Sequence, residues 1–298
     1  MQLRVAKMHA LGNSYIYVEE HEIAAIRHRL PELARTVSDV RKGIGSDGLI
    51  VIGSSTVADV RMQIFNADGS EAENCGNGLR CVAKYAYEQG LVSKQEFHVE
   101  TKGGVFHAKV WLDERGTVPK VTVNMGPMRL GPQQVPYSGP AVVNNEVAVQ
   151  VEDDNLSGTL VSVGNPHFVA FVEDAVTSNV AAIGPIIEHH PWFPERINVE
   201  FVTPRSRQEL DFRVWERGSG VTFACGTGAC ASVAAGVSKG LLDNQVRVHL
   251  LGGDLDIAVK DGQIFMTGEA VHVFSGMYTW DGEGEMGRTS VTKASQNE

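Results

Sequence analysis

Val60, Met62 and Ile64 are apolar and alternate with Arg61 and Gln63, so Val60-Arg-Met-Gln-Ile-Phe65 predicts a strand with one buried and one wet face. Leu49-Ile-Val-Ile52 and Phe168-Val-Ala-Phe-Val172 are short unbroken apolar runs. Lys120-Val-Thr-Val-Asn124 is rich in β-branched residues. All three predict strands. Two segments carry the longer helical period. Leu79, Val82, Ala83 and Ala86 repeat on one helical face, and Gly90 follows as a stop. Ala229 to Ser238 is small and apolar all round, which predicts a buried helix. Pro127 to Pro140, rich in Gly and Pro, predicts a loop. Asp281 to Glu298 has no period and predicts a loose tail.

A shift of 150 residues lays part of the chain on itself. Phe65-Asn66-Ala67 falls on Trp215-Glu216-Arg217, and Cys75-Gly76-Asn77-Gly78 falls on Cys225-Gly226-Thr227-Gly228. Gly48-Leu49 falls on Asn198-Val199, each opening a strand. At a shift of 152, Gly12-Asn13 falls on Gly164-Asn165, each followed by an apolar run. Order, spacing and context agree, so the pattern predicts two copies of one α+β half, each with Cys-Gly-x-Gly at a helix start.

Composition narrows the chemistry. The chain has 298 residues, 43% hydrophobic and 21% charged, which suits one large globular domain or two modest ones. Lys plus Arg is 26 and Asp plus Glu is 36, a net charge of −10. An acidic balance argues against nucleic acid as partner. No apolar run reaches the ~18 residues of a membrane span. No apolar stretch follows the first residues, so no secretory signal is expected. Four cysteines are too few for a disulfide scaffold. The expectation is a cytoplasmic protein acting on a small molecule.

A helix start has unpaired backbone N–H groups and a partial positive charge, which attract a carboxylate and favour a thiolate. Two such starts could hold a carboxylate with a thiol on each side of its α-carbon. One thiolate would remove the α-proton and the other thiol would return a proton to the opposite face, inverting the centre. Cys81 and Cys230, inside the helices, are expected to be small core residues. Cysteine spacing fits no zinc site. Glu188-His189-His190 predicts a solvated helix end. Gly43 to Gly48 and Gly282 to Gly287 match G-x-G-x-x-G without the strand-then-helix context of a dinucleotide site, and predict turns. Three other uses stay open: a racemase of another amino acid, a non-catalytic carboxylate-binding protein, and a dithiol redox protein.

Several segments carry a resemblance: Lys7-Met-His-Ala-Leu-Gly-Asn13, Asn66-Ala-Asp-Gly-Ser70, Cys75-Gly-Asn-Gly-Leu-Arg-Cys81, Gly164-Asn-Pro-His167, Asn198-Val-Glu-Phe201, Trp215-Glu-Arg-Gly218 and Ala224-Cys-Gly-Thr-Gly-Ala-Cys230. From about residue 5 to residue 280 the chain resembles the diaminopimelate epimerases. The resemblance implies two pseudo-symmetric halves, each a curled, mostly antiparallel sheet around a central helix, with the active site in the cleft between them. The first half would comprise residues 1–124 plus about 268–280, and the second residues 125–267. It implies a cofactor-independent and metal-free epimerase that interconverts LL- and meso-diaminopimelate for lysine and peptidoglycan synthesis. Its partner would be the amino-acid substrate, with no nucleic acid or membrane, and a homodimer stays open. Cys75 and Cys225 would be the acid/base thiols, with His167 and Glu216 as the polar neighbours that tune them. Gly76, Asn77, Gly226 and Thr227 would hold the reacting carboxylate, with Asn13 near it. Asn66, Asn165, Asn198, Glu216 and Arg217 would hold the distal end. Proline- and histidine-type racemases are the nearest alternatives on such a scaffold. The chain departs from many members in having Ser14-Tyr15 after Asn13, Gly48 in place of Gln, and Ala10 in place of Gly.

Overall fold

The computed structural model describes residues 1–73, 75–152, 154–282 and the backbone of 289–290. The chain forms two compact units, residues 1–123 with 269–298, and residues 124–268. In the first unit eight strands lie side by side in the order Val271–Thr279, Gln2–Ala10, Asn13–Glu19, Gly48–Gly53, Val60–Asn66, Glu96–Thr101, Gly104–Trp111 and Lys120–Pro127. The third pairs with the fourth in parallel, and so does the fifth with the sixth; the other pairings are antiparallel.

The second unit runs Glu146–Val151, Asp154–Ser162, Pro166–Phe171, Asn198–Ser206, Glu209–Glu216, Gln245–Leu250, Gly253–Lys260 and Gln263–Glu269. Its parallel pairings fall at the same two places. The expected duplication is therefore present as topology, and the α+β reading of two like halves holds.

Each parallel pairing needs a crossover, and a helix supplies it. In the first unit these helices are α1 (Leu30–Ser38) and α2 (Gly76–Glu88); in the second they are α3 (Val180–Glu188) and α4 (Gly226–Ser238). The sequence reading anticipated α2 and α4, and of α3 only a helix end at Glu188, but not α1. Helices α2 and α4 lie exactly one repeat apart by number, at thirteen residues each. Helix α2 packs on the second, fifth and seventh strands of its unit, and α4 on the second, third, fourth and seventh of its own. One helix can touch strands that far apart only if the sheet curls round it. Helix α1 covers the opposite face, burying Leu33, Ala34 and Val37 against Leu3, Ile16, Val18, Leu49 and Val51. Strand Gly48–Gly53 is thus covered on both faces, which explains its unbroken apolar run.

The expected loop at 127–140 contains the short strand Arg129–Leu130 and a 3₁₀ turn, Pro132–Gln134. The loose tail expected from Asp281 is anchored at its start. The Arg29 guanidinium donates to the Gly282 carbonyl, and Thr289–Ser290 pairs with Met277 and Tyr278. Residues 283–288 and 291–298, with the second glycine motif beyond Gly282, lie outside the described residues. Among the described residues no helix is long and apolar enough to cross a membrane.

Candidate active site

Both cysteine blocks fold alike. Cys75 is the residue before α2, in extended backbone at φ −153° and ψ 112°, and Cys225 stands before α4 at φ −111° and ψ 101°. Each sulfur accepts the N–H of the glycine three residues on, Gly78 or Gly228, at 3.4 Å. Each cysteine carbonyl accepts the next N–H, from Leu79 at 2.8 Å or Ala229 at 3.0 Å. The remaining first-turn amides, of Gly76-Asn77 and Gly226-Thr227, are outside the helix's own ladder and suit an anion. A Cβ on Gly228 would meet Glu200 Oε1 at 2.8 Å and Cys225 Sγ at 3.2 Å, so glycine is required for this close approach.

In the first unit, Asn13 Oδ1 accepts from Cys75 Sγ at 3.6 Å and from Asn77 Nδ2 at 3.4 Å. Asp47 orients Asn13, taking its Nδ2 at 2.9 Å and the Ser14 amide at 2.7 Å. Arg80, wholly buried, donates to Asn77 Oδ1 at 2.8 Å. Sequence reasoning missed Asp47 and Arg80. Asn66 holds Ser70 Oγ at 3.0 Å and is not brought onto Cys75 by any of these bonds. A Cβ on Gly48 would lie 2.1 Å from the Phe65 carbonyl oxygen and 2.9 Å from Tyr15 Cε1. The departures at Tyr15 and Gly48 are therefore coupled: the ring stands beside the place where a side chain would start.

In the second unit, the hydroxyl of Thr227 contacts Cys225 Sγ at 3.6 Å and accepts from Asn165 Nδ2 at 3.3 Å. His167 is buried, with Nε2 2.9 Å from Asn165 Oδ1 and Nδ1 2.6 Å from Glu200 Oε1. Asn198 donates to the Pro166 carbonyl at 2.8 Å and accepts the Arg217 amide at 2.9 Å. Glu216 accepts from the Thr222 hydroxyl and from Cys225. Burial raises the Glu216 carboxyl above its ordinary range, with the Thr222 hydrogen bond opposing.

Two expectations change, at Cys225 and at Glu188. A helix start was expected to make its thiol more acidic. Burial instead pushes the Cys225 thiol well up, and the charges of Glu216 and Glu200 add to this against hydrogen bonds from Thr227 and Gly228. Arg217 is exposed, with its guanidinium on the Glu195 carbonyl at 3.1 Å. Glu188 is not a solvated helix end: it is buried and accepts from Trp215 Nε1 at 2.7 Å and Gly218 N at 2.8 Å. Glu200, which sequence reasoning did not single out as a site residue, has a visible signal: a lone carboxylate within Ile197-Asn-Val-Glu-Phe-Val202. Cys81 and Cys230 are core residues, and burial pushes the Cys81 thiol up to about 12. Among the described residues no cluster of three His, Cys, Asp or Glu could hold a metal. A surface hollow of about 670 Å³ lined by Ser206, Gln208, Arg247 and Asp256 includes none of the expected site residues.

The sequence model of the family described as diaminopimelate epimerase matches residues 5–131 and 159–273. The chain belongs to the diaminopimelate epimerase family. It is 51% identical over 280 residues to the diaminopimelate epimerase of Bacillus subtilis, covering 92% of this chain and 98% of that one. It is 50% identical over 282 residues to the enzyme of Geobacillus thermodenitrificans, covering 93% and 96%. The fold is also similar to a crystal structure of a hydroxyproline epimerase from Agrobacterium vitis, with TM-score 0.66 and 15% identity over 93% of this chain and 92% of that one. A PhzF-family phenazine biosynthesis protein from Bacillus anthracis gives TM-score 0.63 at 15% identity over 93% and 99%. These last two likenesses concern the fold alone. Both cysteine blocks, His167, Glu200 and Glu216 lie within the matched ranges.

Proposed function

We propose that this isomerase interconverts LL- and meso-diaminopimelate, in lysine and peptidoglycan precursor synthesis, by moving protons at the substrate α-carbon with Cys75 and Cys225. One sulfur, as thiolate, takes the α-proton, and the Cα–H bonding pair stays on carbon. The other sulfur gives its proton to the opposite face and becomes the thiolate. The centre is inverted and the total number of protons is unchanged. The observation that carries the reading is the repeated geometry: each sulfur accepts from the glycine amide three residues on at 3.4 Å. First-turn amides beside each sulfur suit the carboxylate and the charge that develops on it.

The burial of Cys225 supports its resting as the protonated partner, ready to donate. Asn13 and Asn77 act near the reacting end. Asn66, Asn165, Asn198, Glu216 and Arg217 act on the distal amino-acid group, with Arg217 exposed and available to a second carboxylate. The substrate assignment draws on relatives about half identical and named diaminopimelate epimerases. The enzyme works in the cytoplasm on a free amino acid, without metal, cofactor, nucleic acid or membrane. Incubation with LL-diaminopimelate in D₂O, followed by NMR, tests this. Deuterium should enter the α-position as the meso form accumulates, and dialysis against EDTA should leave the rate unchanged. Proline or histidine exchanging as fast as LL-diaminopimelate would overturn the substrate assignment.

A further inference from the structure

Glu200 is wholly buried in strand Asn198–Ser206, with Oε1 on His167 Nδ1 at 2.6 Å and Oε2 without a hydrogen-bond partner. An uncompensated carboxylate there would be costly, so its place needs a reason. His167 Nε2 faces the Asn165 carbonyl oxygen at 2.9 Å. A ring nitrogen facing a carbonyl oxygen must carry a proton, so Nε2 donates. The other ring nitrogen then shares one proton with Glu200, as N–H to carboxylate or as carboxylic O–H to nitrogen. Either form leaves the pair neutral overall, as burial requires.

With its oxygen engaged, Asn165 turns Nδ2 to Thr227 Oγ1, 3.3 Å away. That hydroxyl oxygen accepts, and the Cys225 thiol proton is given to Glu216, so the Thr227 O–H is the proton directed to Cys225 Sγ, 3.6 Å away. Three donated hydrogen bonds thus run in one direction, from His167 through Asn165 and Thr227 to the sulfur, with Glu200 at their head. We propose that Glu200 is a positioning residue for Cys225, fixing the Thr227 hydroxyl as donor to the sulfur through His167 and Asn165. This rests on the reading of Cys225 as a proton-transferring thiol.

A plain electrostatic role for Glu200 predicts the opposite sign. The groups acting on Cys225 are Glu216 from strand Glu209–Glu216 and Glu200 from its neighbour, while His167 from strand Pro166–Phe171 acts on both carboxyls. Helix α4 brings no acidic side chain to its first turn. As a bare anion, Glu200 holds the proton on the sulfur, and its removal eases ionisation. As the head of the relay, its removal frees the Thr227 hydroxyl and makes ionisation harder.

The experiment follows the rate of alkylation of each cysteine by iodoacetamide from pH 7 to 11 in the full chain, where a tenfold fall in rate at fixed pH reads as a rise of one unit in the midpoint, with peptide mass spectrometry as the readout and Cys75 as internal control. Glu200→Leu should raise the Cys225 midpoint by about one pH unit, roughly the worth of one hydrogen bond. Glu200→Gln should leave it in place, because the amide can donate to Nδ1 as the protonated carboxyl does. Thr227→Val should give the same rise, with no further rise in the double variant. The Cys75 midpoint should stay fixed throughout. A fall in either Glu200 variant, or a rise in Glu200→Leu that adds to that of Thr227→Val, overturns the relay. If Glu200→Leu does not fold, Glu200→Gln and Thr227→Val decide alone: the relay requires no change in the first and a rise in the second. Turnover separates the two levels. Epimerisation by Cys225→Ala defeats the two-thiol reading whatever the midpoints, whereas an inactive Cys225→Ala with a lowered midpoint in Glu200→Gln defeats only the relay.

Discussion

The sulfurs of Cys75 and Cys225 share a backbone geometry but not an environment. Cys75 is half-buried beside Asn13, whereas Cys225 is buried beside two carboxyls. In the proposed mechanism that asymmetry gives them different resting roles, with Cys225 holding its proton. Cys75→Ala and Cys225→Ala should each lower two-way epimerisation by at least about 10²-fold, the contribution of one general acid or base, while retaining the fold. Chromatographic separation of the two stereoisomers, with circular dichroism as the folding control, measures this; near-native turnover in either variant defeats the mechanism. These sulfurs were legible in the sequence because glycines and a repeat frame them. Glu200 was not weighed as a site residue, because a lone carboxylate in an apolar strand shows that it is unusual but not what it acts on. Its significance comes from His167, thirty-three positions away in the chain and 2.6 Å away in space. Asp47 and Arg80 escaped for the same reason: each acts on an asparagine far along the chain or one helical turn off, not on a motif of its own. Arg217 stands exposed, with its guanidinium on the Glu195 carbonyl.

At the scale of elements, α2 and α4 were legible because each is a long helix with a marked start. Helix α1 carries the apolar period Leu30, Leu33, Ala34, Val37 with Pro31 in its first turn, so its signal was present but short. Helix α3 is only nine residues, with Gly184 and Pro185 inside, both poor helix formers. Tertiary packing makes it a helix. Gly184 lies flush on Trp215, where a Cβ would come within 2.4 Å of the side chain. Glu188 at the end of α3 then takes Trp215 Nε1 and the Gly218 amide. Helix α3 is thereby fastened to the segment that carries Glu216 and Arg217. Glu188→Ala should leave two donors unsatisfied and cost about 1–3 kcal/mol, lowering Tm by several degrees. It should also weaken turnover, because the turn bearing Arg217 loses its anchor. Calorimetry and a KM measurement check both; unchanged stability would mean that water replaces the carboxylate without loss.

Over the whole molecule, the same strand order, with the same two parallel pairings, occurs in both units, but the chain supplies the first strand differently. In the second unit that strand, Glu146–Val151, comes just before its neighbour; in the first it is Val271–Thr279, from the far end of the chain. The first unit is therefore closed by a strand that follows the whole second unit in the chain. Its pairing with Gln2–Ala10 extends from Gln2 opposite Thr279 to His9 opposite Val271, and the Met1 amino group meets the Trp280 carbonyl. Tyr278 and Trp280 enter the core with Leu3, Val5, Ile23 and Leu33, and the Arg29 guanidinium lies over the Trp280 ring at 4.7 Å. Removing that indole creates a cavity and leaves the strand poorly held. Trp280→Ala should cost about 3–5 kcal/mol. The loss belongs to one unit: Trp280 packs with residues of the first unit, and the core of the second, around Phe168, Phe193, Ile197 and Phe201, contains none of them. Hydrogen exchange read by mass spectrometry should show weakened protection in Gln2–Ala10, Asn13–Glu19 and Val271–Thr279, with Asn198–Ser206 and Gln245–Leu250 as protected as in the native chain. Equal loss of protection in both sets would show instead that the two units unfold as one, and that strand Val271–Thr279 stabilises the whole chain.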